Sequence, residues 1–190
     1  MNRTSRTSLP PQLSVPAPIE PKRRALAYGV LGLMVLVGLA CAWVLGPLAY
    51  NGVRMRELRG RNVYDVKLEP IAALASARAK AAREGRTVLV VVGGNWCRWC
   101  LSLDDLMGSD PDIRDELAED YVVVKIDSAR AKPLDAEWGH PLKLGVPVLV
   151  FLDAQGHVKH VQETGSLERW GGRILAHDPD RVLELLKKHG

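Results

Sequence analysis

Residues Ala25 to Tyr50 run for twenty-six positions without one charged side chain. As a helix they would cover about 39 Å at about 1.5 Å per residue. The hydrocarbon core of a bilayer is only about 30 Å thick. A helix buried inside a soluble protein would be shorter and would carry a polar face. The run is therefore expected to be a transmembrane helix, with Pro47 near its far end, where a helix break is tolerable. It divides the chain into a basic, Pro- and Ser-rich flexible tail (1–24), the membrane segment (25–50), a linker (51–65) and a folded domain (66–190).

Ala40-Cys41-Ala42 offers a small-x-small site for signal cleavage. Leu39-Ala40-Cys41 faintly matches a lipoprotein cleavage box, although Gly38 stands where that box usually has Leu. The apolar run continues past both sites through Trp43, Val44, Leu45, Leu48 and Tyr50, so an uncleaved signal anchor fits best. Lys22-Arg23-Arg24 precede the segment, and Arg54, Arg56, Arg59 and Arg61 follow it. The positive-inside count nearly ties. The position of the segment near the N-terminus, directly after three basic residues, favours the tail inside and the domain outside.

The formal charge is +4, but its distribution removes nucleic acid as a partner. Residues 1–61 carry nine Lys/Arg and two acids, whereas residues 62–190 carry seventeen Lys/Arg and twenty acids. A basic footprint on the folded part is what DNA binding requires. Three cysteines are too few for a disulfide-scaffolded mini-protein or an all-cysteine zinc site.

The folded part alternates helix and strand. Pro70 suits a first helical position, with Ile71, Leu74 and Ala75 at helical spacing after it and Gly85 as the stop. Thr87–Val92 is a β-branched run of the kind buried on both faces, ended by Gly93-Gly94. A helix from Cys97 would turn Leu103, Leu106 and Met107 inward. Asp110-Pro111 opens another, with Ile113 and Leu117. Tyr121–Ile126 and Val146–Leu152 read as strands. Asp153–Gly156 reads as a turn, and His157–Glu163 as an antiparallel return. Asp178-Pro179 caps a last helix whose Val182, Leu185 and Leu186 repeat at helical spacing. The order is that of an α/β domain.

The chemistry lies at Trp96-Cys97-Arg98-Trp99-Cys100. Two cysteines three apart share one side of a helix and can form and break a disulfide. Cys97 sits at the helix start, where free N–H groups and the dipole stabilise an anion, and Arg98 adds a cation. Both favour the thiolate, which is the attacking species. Cys100, one turn deeper, is the natural resolving thiol. A zinc ligand pair is the strongest rival, but the other half of the site is missing: Cys41 lies in the apolar segment, and His157 and His160, three apart on a strand, point to opposite faces. Asp104 and Asp105 read as a solvated helix face, His140 and Gly171-Gly172 as loop, and Cys41 as a thiol packed in lipid.

The strand running into Gly93-Gly94-Asn95-Trp96-Cys97-x-x-Cys100, Lys125 in the next strand and Gly145-Val146-Pro147 before the following one resemble the thioredoxin-like superfamily over roughly 66–189. Within it, Asp153-Ala-Gln-Gly-His-Val158 and Thr164-Gly165-Ser-Leu-Glu168 look like the small bacterial exported members. The resemblance implies a thioredoxin-like fold, a central mixed sheet flanked by helices. It implies that Pro147 has a cis peptide bond beside the cysteines, and that the Val146 backbone bonds an extended substrate strand. The bland alternative is that Pro147 merely starts an edge strand. Trp96, Arg98, Trp99, Val146 and Pro147 are the candidate substrate-contact residues. Trp99 serves equally well as lid packing. Two departures stand out. The buried aspartate usual six residues before the first cysteine is Val91 here, which leaves Lys125 without that acid. The dipeptide between the cysteines is Arg98-Trp99, where thioredoxin has Gly-Pro.

These features lead to a thiol–disulfide oxidoreductase of protein substrates. Cys97 attacks, Cys100 resolves, no metal or organic cofactor takes part, and a redox partner recycles the pair. Its expected place is the bacterial inner membrane, single-pass, with the domain in the periplasm and acting as a reductase. The rivals are a metal-binding or assembly chaperone that delivers copper or haem on the same fold, and a partner-binding protein with purely structural cysteines.

Overall fold

The structure, a computed structural model, describes residues 21–190. Of the tail read at 1–24, residues 1–20 lie outside the described residues, and the rest begins the first helix. That helix, α1, is Pro21–Leu58, and from Lys22 it is long and apolar enough to cross a membrane. It passes through Pro47 without ending and takes in the start of the segment read as linker. The chain divides at Val44/Leu45 into two units. In the first, α1 is exposed along its whole described length, Cys41 included.

The second unit contains a four-stranded sheet in the order β2-β1-β3-β4. The strands are β1 (Thr87–Gly93), β2 (Tyr121–Asp127), β3 (Val148–Leu152) and β4 (Val158–Glu163). β2 runs parallel to β1, whereas β3 and β4 run antiparallel to their neighbours, so the sheet is mixed as expected. Every residue of β1 and β3 is buried, which is why both read as unbroken apolar runs.

Alternation along β1 feeds two cores. Val88, Val90 and Val92 face α2 (Pro70–Glu84) and α5 (Ser128–Asp135), which contribute Leu74, Ala77 and Leu134. Leu89 and Val91 face α3 (Arg98–Ser109), α4 (Pro111–Asp120) and α6 (Pro179–His189), which contribute Leu103, Ile113 and Leu186. The helix ends obey local chemistry. Asp110 accepts from the Ile113 N–H at 3.1 Å, Asp178 accepts from the Asp180 N–H at 3.1 Å, and Gly85 closes α2 with φ 68°.

Three local expectations change. Ile71 is exposed, and α2 turns Ala77 and Ala81 inward beside Leu74 instead. The third strand begins at Val148, two residues after the expected Val146. Helix α5, capped by Asp127 with a 2.9 Å bond from the Ala129 N–H, lies where the sequence pattern assigns no element.

Candidate functional site

The strand and the helix that flank the Gly93-Gly94 turn place the cysteines. Cys97 is the N-cap of α3 in extended conformation, and its Sγ accepts the Cys100 backbone N–H at 3.2 Å. A sulfur at that position faces the unpaired amides of the first turn, the arrangement that favours a thiolate. Cys97 and Cys100 form a disulfide with Cα atoms 5.2 Å apart. Cys97 keeps 7% exposure and Cys100 none.

The cis Val146–Pro147 bond lies beside this pair, with the Val146 carbonyl oxygen 3.6 Å from Cys97 Sγ. Thr164, itself buried, donates to the Pro147 carbonyl at 2.8 Å and fixes the turn from behind. Sequence-distant Val146 and Pro147 thus meet Cys97. The other candidates diverge. Trp96 is 74% exposed and Arg98 is exposed. Trp99 is half-buried and meets the His177 ring edge-on at 5.5 Å.

His177 is buried, and neither ring nitrogen has a partner. Burial lowers its pKa from 6.5 to about 4, so the ring beside Trp99 is neutral at physiological pH. Nothing in the sequence marks it, because only tertiary packing carries it under α3.

Asp104 corrects the reading of a solvated face. It is 8% exposed and pairs with Lys125 and, at 3.1 Å, with Arg61. Lys125 sits opposite Val91 in the sheet register. The acid missing from β1 is therefore supplied from α3, one turn past Cys100. Asp105 pairs with Arg61 at 2.6 Å and with Arg54, so it too is engaged rather than solvated.

Tyr64 was likewise not legible. It shares a buried cluster with Cys97 and Cys100, inside the segment read as linker. Asn95 holds it there, accepting from the Val63 and Tyr64 N–H groups at 2.8 and 2.9 Å. Asn95 within the Gly-Gly-Asn-Trp string was the available signal. Burial, reinforced by the Asp104 and Asp127 carboxylates, raises the Tyr64 phenol well above its usual pKa. Among the described residues no group of three or more His, Cys, Asp or Glu side chains converges as a metal site would require.

A mixed sheet with helices on both faces, a Cys-x-x-Cys disulfide at a helix start and a cis-proline turn against it define a thioredoxin-like domain. Residues 69–154 match the model of a family described as thioredoxin-like. Among curated proteins it is similar to the thiol:disulfide interchange protein DsbD of Tatumella citrea, 28% identical over 95 residues. That match takes in 50% of this chain but only 16% of the relative. Among solved structures, a disulphide isomerase from Xylella fastidiosa Temecula1 superposes with a TM-score of 0.56 at 24% identity, covering 68% of this chain and 97% of that one. The second likeness establishes the fold.

Proposed function

We propose that the chain is a membrane-anchored thiol–disulfide oxidoreductase of protein substrates. The observation that carries this reading is the disulfide between Cys97, capping α3, and wholly buried Cys100. The likeness to a thiol:disulfide interchange protein supports it.

In the reducing direction the Cys97 thiolate attacks one sulfur of a substrate disulfide, and the other sulfur leaves as a thiolate. The product is a mixed disulfide. Cys100 gives its proton to solvent, and its thiolate attacks Cys97 Sγ. The substrate's second sulfur leaves, and Cys97–Cys100 is oxidised. Two electrons pass from the protein to the substrate, and a dithiol redox partner returns them. The extended backbone at Val146, ahead of cis-Pro147, receives the substrate chain by strand addition. Exposed Trp96 and Arg98, with Trp99 behind them, border the same sulfur.

The apolar helix anchors the domain in the bacterial inner membrane, with the domain on the periplasmic side. Residues 22–44 alone, about 35 Å of helix at about 1.5 Å per residue, suffice to span it. Trypsin added to sealed spheroplasts should digest residues 62–190; full protection would reverse the orientation. Cys97→Ser should abolish insulin reduction, and Cys100→Ser should accumulate mixed disulfides. Full activity in Cys97→Ser would end the proposal.

A further inference from the structure

Tyr64 is fully buried, and its hydroxyl has no hydrogen-bond partner. Its backbone is clamped, with the Asn95 Nδ2 donating 2.8 Å to the Tyr64 carbonyl. Its phenol lies over Gly93. A methyl group placed on that glycine would come within 2.5 Å of Tyr64 Cζ and 3.0 Å of Cys100 Sγ. The phenol head and the resolving sulfur therefore both border the one position a Gly93 side chain would occupy. A buried donor without an acceptor is unfavourable, and each such group in a folded protein calls for an explanation. Here the state of the sulfur supplies one. A disulfide sulfur is a poor acceptor. A thiol can donate and accept, and a thiolate is a strong, charge-assisted acceptor.

We infer that the Tyr64 hydroxyl is the hydrogen-bond partner of the Cys100 sulfur whenever Cys97 and Cys100 are separate, in the dithiol and in the mixed disulfide. The inference rests on the cycle proposed above. Two consequences follow from the orphaned hydroxyl of the joined state. Tyr64 biases the pair toward the dithiol, which makes the couple more oxidising. It also stabilises the Cys100 thiolate that resolves the mixed disulfide. Tyr64 keeps its own proton throughout, while the Cys100 proton leaves to solvent. The elevated phenol pKa keeps it a donor. The charged groups around it are Asp127 and Asp104, the latter neutralised by Lys125 and Arg61.

The test uses the full chain in detergent micelles, equilibrated with glutathione buffers, together with the pH profile of mixed-disulfide resolution. Tyr64→Phe should shift the equilibrium about tenfold toward the disulfide, equal to about 30 mV more reducing. It should move the resolution profile up by about one pH unit. Replacing Tyr64 with 3,5-difluorotyrosine, a stronger donor of nearly the same shape, should move both readouts the other way. This second variant decides the matter even where Tyr64→Phe fails to fold. Wild-type potential and profile in either folded variant would overturn the inference. A wild type that exchanges with glutathione but with no protein disulfide would instead refute the functional reading, and the Tyr64 comparison would still be readable.

Discussion

His177 makes the stability of the domain depend on pH in a way that can be worked out beforehand. In the unfolded chain the imidazole titrates at its usual 6.5, and in the folded protein at about 4, because burial disfavours the cation. The folded state thus binds fewer protons in this window, and stability rises with pH there. The contribution is fully present above about 6.5 and is lost as pH falls toward 4. At about 1.4 kcal/mol per pH unit, going from pH 7.5 to 4.5 costs about 2.5 kcal/mol through this one side chain. His177→Phe removes the titration. It forfeits no hydrogen bond, since neither ring nitrogen has a partner, and it keeps an aromatic edge against Trp99. Urea unfolding of wild type and variant, each at pH 7.5 and 4.5, isolates the effect, because all other titrating groups are shared. The wild-type midpoint should drop by about 1 M more than the variant's, taking a urea slope of about 2 kcal/mol/M. Equal drops, or a His177 ring that titrates near 6.5 by NMR, would refute the reasoning.

Gly93→Ala forces a methyl against the Tyr64 phenol and 3.0 Å from Cys100 Sγ. It should cost about 1–3 kcal/mol by overpacking, read by thermal unfolding. Gly108→Ala, in α3 with open space around the new methyl, should instead stabilise by about 0.5–1 kcal/mol. Asp104→Asn takes the carboxylate from Lys125 and leaves Arg61 with Asp105 alone. Both cations are about one-third exposed, so the loss should be about 1–2 kcal/mol, below the figure for a fully buried pair. An unchanged urea midpoint would show that the cluster contributes nothing.

The strands were legible because β-branched runs and alternation are local signals, and so were the ends of α4 and α6, where Asp-Pro pairs act within one turn. The cysteine pair was legible for the same reason, since three residues of spacing decide its geometry. What failed was everything that needs a partner from elsewhere in the chain. Asp104 and Asp105 looked like an ordinary solvated face until Arg61 and Lys125 closed over them. Helix α5 has a proline inside it and little apolar periodicity, and the sheet imposes its shape. Tyr64 is a lone aromatic in a stretch without a period. Its place depends on the side chain of Asn95, thirty-one residues away.

The departure at Val91 brings these misses together. A carboxylate on β1 would lie on the sheet beneath the cysteines and could exchange a proton with the resolving thiol. With valine there, the β1 floor of the site is apolar, and the replacement acid, on α3, is held between Lys125 of β2 and Arg61 after α1. Each oxygen of that carboxylate is taken up, one by Lys125 and one by Arg61. Stabilising the Cys100 thiolate then falls to a group that can donate without being charged. Of the neutral donors in the cluster around the two sulfurs, the Trp99 indole and the Tyr64 phenol, the phenol is the one buried without a partner.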